Sequence, residues 1–443
     1  MKFKDKNVLV IGAGVSGLSA AQFLIERGAR VTIYDDNRMP RYETTIDNGA
    51  VYEFEVDKLD PDNFDLSVIS PGVSINHPLA QKFTGKLISE LSLGFTARHK
   101  KVIAVTGTNG KTTVVNMIAN VLGKRGKLCG NSGTPVTSVT RELRRKIAVT
   151  EVSSFMMEVQ SKFRPKISVI LNISQDHLER HGTMENYIEH KAQIFAHQKK
   201  RDITILNYDD PIVRDLAKRT KARVLFFSQT SRVRGIFVDG GRVWLNLRGC
   251  AKELFSLHEL RLSNSHEVSN FLATALACKL LRVKSEKLEN ATVDLNHRIQ
   301  HVAAVGNVDF YNDSKATNVA AALAACACFT APIHLLVGGQ PKGQDFAKLF
   351  AALPKNVVRI FTFGESSPAI MASAKLALFT AIEAHETMQA AVAASASHGT
   401  GQRVVLLSPA CASFDQFAGY EDRGKKFVEV VNAIVRQDTE KTE

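Results

Sequence analysis

No two cysteines of this 443-residue chain form a CxxC pair, and none of the six has a metal-type spacing to histidine. Those six (Cys129, Cys250, Cys278, Cys326, Cys328 and Cys411) therefore read as reduced, mostly buried thiols of a cytoplasmic protein. No N-terminal leader is expected, since Met1-Lys2-Phe3-Lys4-Asp5 is charged and runs straight into a strand. No apolar run reads as a membrane span. Val319 to Val337 comes nearest, but its alanines, the break at Pro332 and the embedded His334 suit a buried helix followed by a strand. Short repeats are absent, and the only biased segments are alanine-rich helices. The basic clusters Arg98-His99-Lys100-Lys101, Arg144-Arg145-Lys146 and Lys199-Lys200-Arg201 are dispersed and carry no interleaved aromatics. The net charge of +13 thus reads as a solvated surface rather than a nucleic-acid footprint. The same charge would serve to attract anionic small substrates.

What is present is a long alternation of strand and helix signals, which argues α/β architecture with mainly parallel sheets. The chain exceeds what one core usually supports, so several domains are expected. The first, residues 1–93, opens with strand Asn7 to Ile11, a glycine turn, a helix to Arg27 capped by Gly28, and strand Arg30 to Tyr34. The second, residues 94–293, includes strands Val102 to Thr106, Ile147 to Glu151 and Ile167 to Asn172, and a hairpin at Asp239-Gly240-Gly241. The third, residues 294–443, holds strands Val308 to Tyr311, Ile333 to Val337, Val357 to Phe363 and Arg403 to Leu407.

The most informative segment follows Val102 to Thr106: Gly107-Thr108-Asn109-Gly110-Lys111-Thr112-Thr113, then a helix-compatible stretch. A common phosphate loop has four residues between its glycines, whereas only two lie between Gly107 and Gly110. The chemistry still fits ATP. Glycines let backbone N–H groups face phosphate oxygens, the helix N-terminus adds positive potential, Lys111 reaches outer phosphates, and Thr112 is placed to hold Mg²⁺. Glu151, at a strand tip about forty residues on, is the expected second Mg²⁺ ligand. His177 and Lys191 stand further along, and spacing alone leaves both in structural roles.

Gly12-x-Gly14-x-x-Gly17, with Asp35 about twenty residues on, matches the dinucleotide fingerprint, whose geometry also receives a UDP diphosphate. Three strand-end loops crowd the third domain: 312–318 (Asn-Asp-Ser-Lys-Ala-Thr-Asn), 338–343 (Gly-Gly-Gln-Pro-Lys-Gly) and 408–415 (Ser-Pro-Ala-Cys-Ala-Ser-Phe-Asp). Carboxyl ends of parallel strands are where ligands bind.

Taken together, these motifs resemble the Mur ligase family across essentially the whole chain. GTNGKTT is shared with a wider group that includes folylpolyglutamate synthases, while GAGVSGLS, NDSKATN and SPACASFDQF are closer to the D-glutamate-adding branch. The resemblance implies a UDP-binding Rossmann-like domain, a central P-loop ATPase-like domain and a C-terminal Rossmann-like domain. It implies ATP and Mg²⁺, with UDP-N-acetylmuramoyl-L-alanine and D-glutamate as substrates, no nucleic-acid or membrane partner, and a monomer. Val15, Ser16, Asp35, Ser70, Pro71, Gly72 and Asn131 would then contact the UDP precursor, with His177 beside them. Thr112 and Glu151 would hold one Mg²⁺ and His177 a second, with Lys191 carbamylated to supply oxygen ligands. Asn270, Arg298 and Asp313 would face ATP beside the loop 107–113. Thr317, Lys342, Ser408 and Phe414 would surround D-glutamate, with Lys315 nearby.

Two departures from the family pattern stand out. His266-Glu267 replaces a usual His-Asn pair, and Gln300 replaces a glutamate after His297-Arg298-Ile299. Neither touches phosphate or metal chemistry. The competing readings are a sister ligase adding another amino acid, a nicotinamide oxidoreductase resting on Gly12 to Asp35, and an ATP-gated nucleic-acid binder resting on charge. The second leaves Lys111 and Glu151 unexplained. The third lacks a recognised binding module.

Overall fold

The computed structural model describes residues 2–37, 50–96, 101–159, 163–258, 260, 265–288, 291, 297 and 299–442. Three sheets organise them. The first joins β1 (Asn7–Ile11), β2 (Arg30–Tyr34), β3 (Ala50–Glu53), β4 (Leu66–Ile69) and β5 (Leu87–Ser89) in the order β3-β2-β1-β4-β5, all parallel. The second is built from β6 (Lys101–Thr106), β7 (Gly126–Gly130), β8 (Ile147–Glu151), β9 (Ile167–Ile170), β10 (Ile203–Asn207), β11 (Arg223–Ser228), β12 (Gly235–Asp239), β13 (Arg242–Asn246) and β14 (Lys252–Ser256). Its order is β14-β13-β12-β11-β10-β9-β6-β8-β7, parallel except for the hairpins β12-β13 and β13-β14. The third comprises β15 (Gln300–Val305), β16 (Val308–Asn312), β17 (Ile333–Gly338), β18 (Val357–Phe363), β19 (Ile382–His385) and β20 (Arg403–Ala410), ordered β15-β16-β20-β17-β18-β19. Only β15 runs antiparallel to its neighbour there.

Continuous apolar runs make the central strands because both of their faces are covered. β6 buries every residue after Lys101, and β8 buries all five. Separate apolar clusters lie against the middle sheet, one carrying the helices Lys111–Leu122 and Ser265–Leu280, the other packing Tyr187, Ile194 and Phe195. The third sheet is likewise flanked by two clusters.

Contacts group the chain into two compact units. One holds Met1–Ile173 with Arg180–Val293, the other Ser174–Glu179 with Asp294–Glu443. A division near 93 falls between the end of β5 and the start of β6, and the division near 294 lies among residues outside those described. Several element edges moved: the helix expected to reach Arg27 ends at Ile25, and the strand expected to reach Asn172 ends at Ile170. Expected helix Glu185 to Phe195 is a helix Met184–Ala192 closed by a 3₁₀ turn, Gln193–Phe195. β20 continues through Ser408-Pro409 to Ala410, beyond the expected end at Leu407. Its proline is tolerated because the pairing with β17 is irregular there, between Leu336 and Gly338.

Buried histidine gives the second unit an acid-sensitive point. His334 of β17 is 5% exposed, with Nδ1 3.0 Å from the Ser395 carbonyl. Burial first, then Arg403, His398 and Arg359, hold its imidazole below the ordinary value, although the Ser395 carbonyl pulls the other way. The neutral form is therefore favoured in the fold. Its stabilisation is complete above the unfolded value of about 6.5 and is lost as pH falls through the depressed folded value. Denaturant midpoints at pH 7.5 and 5.5 should fall more in the wild type than in His334→Asn. Equal falls in both proteins would remove His334 from the acid response.

Candidate active site

The first unit builds the phosphate loop on β6, between β9 and β8. Gly110 takes φ +84°, and a Cβ there would lie 2.5 Å from Asn270 Oδ1, so this turn demands glycine. The expected ATP residue Asn270, on the helix Ser265–Leu280, thus packs its carboxamide against the loop itself. Asn172, just past β9, clasps the same loop. Its Oδ1 accepts from the Asn109 N–H at 2.8 Å, its Nδ2 donates to the Asn109 carbonyl at 3.1 Å, and its own carbonyl accepts from the Thr108 N–H at 2.9 Å. Lys111 begins the following helix and donates to the carbonyls of Gly107 and Thr108 at 2.9 and 2.8 Å. Thr112 and Thr113 follow in the first helical turn.

Two buried side chains meet this loop. Lys191, on the helix Met184–Ala192, is 2% exposed, and its Nζ donates to the Gly107 carbonyl at 2.8 Å while standing 4.5 Å from the Tyr187 ring centre. Thr108 Oγ1 lies 3.1 Å from the Tyr187 hydroxyl. Glu151 ends β8, in register with Val105 of β6, and is 2% exposed. Its Oε1 accepts from Asn131 Nδ2 at 2.9 Å, and its Oε2 is buried with no hydrogen-bond partner among the described residues. An orphaned carboxylate oxygen is costly, and a cation would satisfy it. Among the described residues no group of three or more His, Cys, Asp and Glu side chains could hold a metal ion. Thr112 and Glu151 nonetheless suit Mg²⁺, which takes one or two carboxylates and completes its shell with phosphate and water.

The same unit forms a cleft of about 580 Å³ at the carboxyl ends of β1 and β4, where the strand order reverses. It brings together Val15, Ser16, Asp35, Ser70, Pro71, Gly72 and Asn131, which sequence alone had scattered over more than a hundred positions. Asp35 Oδ2 accepts from the Ala13 N–H at 2.7 Å, and Ser70 Oγ donates to the Gly12 carbonyl at 3.0 Å. A Cβ on Gly17 would sit 1.8 Å from that carbonyl, which is why the third glycine of the fingerprint is required. Burial and the Asp36 carboxylate push the Tyr34 phenol up to about 12, keeping it a neutral donor at the cleft wall. Arg180 carried no sequence signal. It pairs with Glu158 and donates to the carbonyls of Gly72 and Val73 at 3.2 and 2.8 Å, holding one cleft wall.

The second unit contains His177, which takes φ +54° and lies near Asp176, Glu179 and Lys342. Burial lowers its pKa; Asp176 opposes that shift and Lys342 adds to it. Of the expected metal ligands, Thr112, Glu151 and Lys191 therefore belong to the first unit and His177 to the second. Adjacent β16, β20 and β17 bring the three polar loops side by side. Asp313 Oδ2 accepts from Ser408 Oγ at 2.8 Å, and Gln344 Nε2 bridges the carbonyls of Thr317 and Ala410 at 3.4 and 2.9 Å. Lys342 sits in the loop after β17, Phe414 is 66% exposed, and Lys315 Nζ stands 3.5 Å from the Tyr420 ring centre. Arg298 lies outside the described residues. Gln300 Oε1 accepts from the His297 N–H at 3.1 Å.

Comparison with known proteins resolves what this assembly is. Residues 6–89 match the Mur ligase MurD-like N-terminal domain, 105–278 the Mur ligase middle domain and 297–411 the Mur ligase glutamate ligase domain. A UDP-N-acetylmuramoylalanine--D-glutamate ligase of Caldicellulosiruptor bescii is 35% identical over 98% of this chain and 99% of its own. The chain belongs to the Mur ligase family. A relative of the same name from Acidobacterium capsulatum is 38% identical over 98% of this chain and 97% of its own. Among solved structures, a pseudomurein peptide ligase type C from Methanothermus fervidus superposes with TM-score 0.61 at 18% identity, covering 97% of this chain and all (100%) of its own. The MurF ligase from Thermotoga maritima in complex with ADP gives 0.58 at 17% identity, over 99% and 96%. At that identity the two structures show the shared Mur ligase fold.

Lys191 provides the site's sharpest test. Lys191→Ala should lower turnover by about a hundredfold or more, with partial recovery in small carboxylic acids that replace a carbamate's oxygens. Steady-state phosphate release measures both, and wild-type turnover in the variant would remove the carbamate from the account.

Proposed function

We propose that this Mur ligase joins D-glutamate to UDP-N-acetylmuramoyl-L-alanine at the expense of ATP, forming an amide in peptidoglycan precursor synthesis, as a cytoplasmic monomer. One observation carries the reading. A phosphate loop lies beside a buried carboxylate with an unsatisfied oxygen, in a chain whose relatives bear that ligase name over 98% of its length. Among the described residues no helix is long and apolar enough to cross a membrane.

In the proposed sequence ATP transfers its outer phosphoryl group to the terminal carboxylate of the precursor, leaving ADP and an acyl phosphate. The amine of D-glutamate attacks the acyl carbon, and the tetrahedral intermediate expels phosphate and loses a proton to give the amide. Positioning and charge neutralisation dominate such chemistry. Lys111 and the loop's N–H groups cradle the phosphates, with Asn270, Asp313 and Arg298 toward the nucleotide. Thr112 and Glu151 would hold one Mg²⁺ and His177 a second, with Lys191 as a carbamate supplying oxygen ligands; the metal neutralises phosphate charge when bound. The cleft from Val15 to Asn131 takes the UDP end. Thr317, Lys342, Ser408 and Phe414 receive D-glutamate away from water, which a closing third domain would exclude.

A coupled phosphate-release assay across D-glutamate, L-alanine, meso-diaminopimelate and L-lysine tests this directly. Release should require ATP, Mg²⁺, the UDP precursor and D-glutamate together. Equal release without D-glutamate refutes the reading, and preference for another amino acid reassigns the chain to a sister ligase.

A further inference from the structure

The second unit fastens its strand-end loops to a side chain that the scheme above does not use. Arg423 lies in the first turn of the helix Tyr420–Thr442 and is 0% exposed. Its guanidinium is fully engaged. Nη2 donates to the carbonyls of Ser314 and Cys411 at 2.8 and 3.2 Å, and Nη1 to those of Ala412 and Cys411 at 3.0 and 3.2 Å. Nε donates to Ser314 Oγ at 3.0 Å, and that hydroxyl donates on to the Tyr420 carbonyl at 2.9 Å.

Every acceptor of the guanidinium itself belongs to one of two segments, 312–318 and 408–415. They are the segments that carry Asp313 and Thr317 on one side and Ser408 and Phe414 on the other. The third loop packs on the same group, since a Cβ on Gly339 would lie 3.0 Å from Arg423 Nη1 and 2.1 Å from the Ala412 carbonyl. Within the clamped segment 408–415 Ala410 is held at φ +59°, a region that costs a residue with a Cβ about 1–2 kcal/mol.

Arg423 forms no ion pair with a carboxylate among the described residues, although burying an unpaired guanidinium costs several kcal/mol. Desolvation lowers its pKa to about 10, so it stays charged at neutral pH. A group used only to fill space would be apolar. What the guanidinium supplies instead is a rigid planar fork of five donors, which no other side chain matches.

We propose that Arg423 is a positioning residue for the incoming amino acid: its fork sets the spacing of the loops carrying Thr317, Ser408 and Phe414, and through them the affinity for D-glutamate. The inference rests on the ligase reading and goes beyond it by naming the group that holds the acceptor loops in register.

The test uses the full chain carrying Arg423→Lys, which keeps the charge and loses the fork. KM is measured for D-glutamate, ATP and the UDP precursor, and acyl phosphate formed without amino acid is trapped by borohydride reduction. KM for D-glutamate should rise about tenfold or more and by several-fold more than KM for ATP, whose expected contact Asp313 shares the clamped segment. The UDP-precursor constant and the acyl phosphate trapped at saturating ATP should stay within about twofold of wild type. An unchanged D-glutamate KM overturns the proposal. So does a common rise of all three constants with less trapped intermediate, which would mark a merely structural arginine. If Arg423→Lys does not fold, Ser314→Ala, which removes the Nε acceptor together with that hydroxyl's bond to the Tyr420 carbonyl, decides the matter. A D-glutamate KM raised about threefold supports the clamp, and an unchanged one overturns it. Loss of D-glutamate dependence in the wild type would instead sink the ligase reading.

Discussion

The pairing of β6 with β8 on one side and β9 on the other is the constraint on which the chemistry rests. It puts Val105 opposite Glu151 and Thr106 opposite Ile170, so the loop that leaves β6 emerges between an acid and the Asn172 carboxamide. Both faces of that sheet are sealed by apolar clusters, which makes the register costly to change. A loop anchored this way presents its N–H groups without having to reorganise when a phosphate arrives. Glu151 is the counterpart of that rigidity. Its Oε2 is buried and unsatisfied, a local cost that only a cation or a donor brought by substrate removes.

Each sheet uses the same device at its own strand ends: a side chain from one loop bonds the backbone or a side chain of the next. Ser70 reaches the Gly12 carbonyl and Asp35 the Ala13 N–H around the nucleotide cleft. Asn172 clasps Asn109 at the phosphate loop. Ser408 bonds Asp313, and Arg423 gathers the remaining carbonyls of those loops. Irregular backbone carries the candidate ligand-binding residues in each case, and buried polar bonds compensate for the order it lacks.

Much of this was legible in the chain. Strands Asn7–Ile11, Arg30–Tyr34, Ile147–Glu151 and Val357–Phe363 could be read to the residue, because short runs dominated by apolar and β-branched residues end at glycine or a polar group. The cleft residues were nameable through the family's motifs, and the fold then gathered them around one cavity. Side chains whose partners are remote in sequence stayed invisible. Arg180 sits 107 and 108 positions from the carbonyls it holds, and Arg423 is 109 from Ser314. An arginine in a helix first turn carries no local sign that distinguishes a buried clamp from a solvated charge. The extension of β20 through Pro409 was hidden for a related reason, since it depends on an irregularity in the partner strand.

In the proposed mechanism a carboxylate is phosphorylated at this loop before any amine arrives. The direct measurement is borohydride trapping with ATP, Mg²⁺ and UDP-N-acetylmuramoyl-L-alanine in the absence of amino acid. The account predicts that the terminal carboxyl of the precursor is recovered as the reduced alcohol, and that Lys111→Met abolishes it. ATP hydrolysis that proceeds without the precursor, or amide formation with no trappable intermediate, would contradict it.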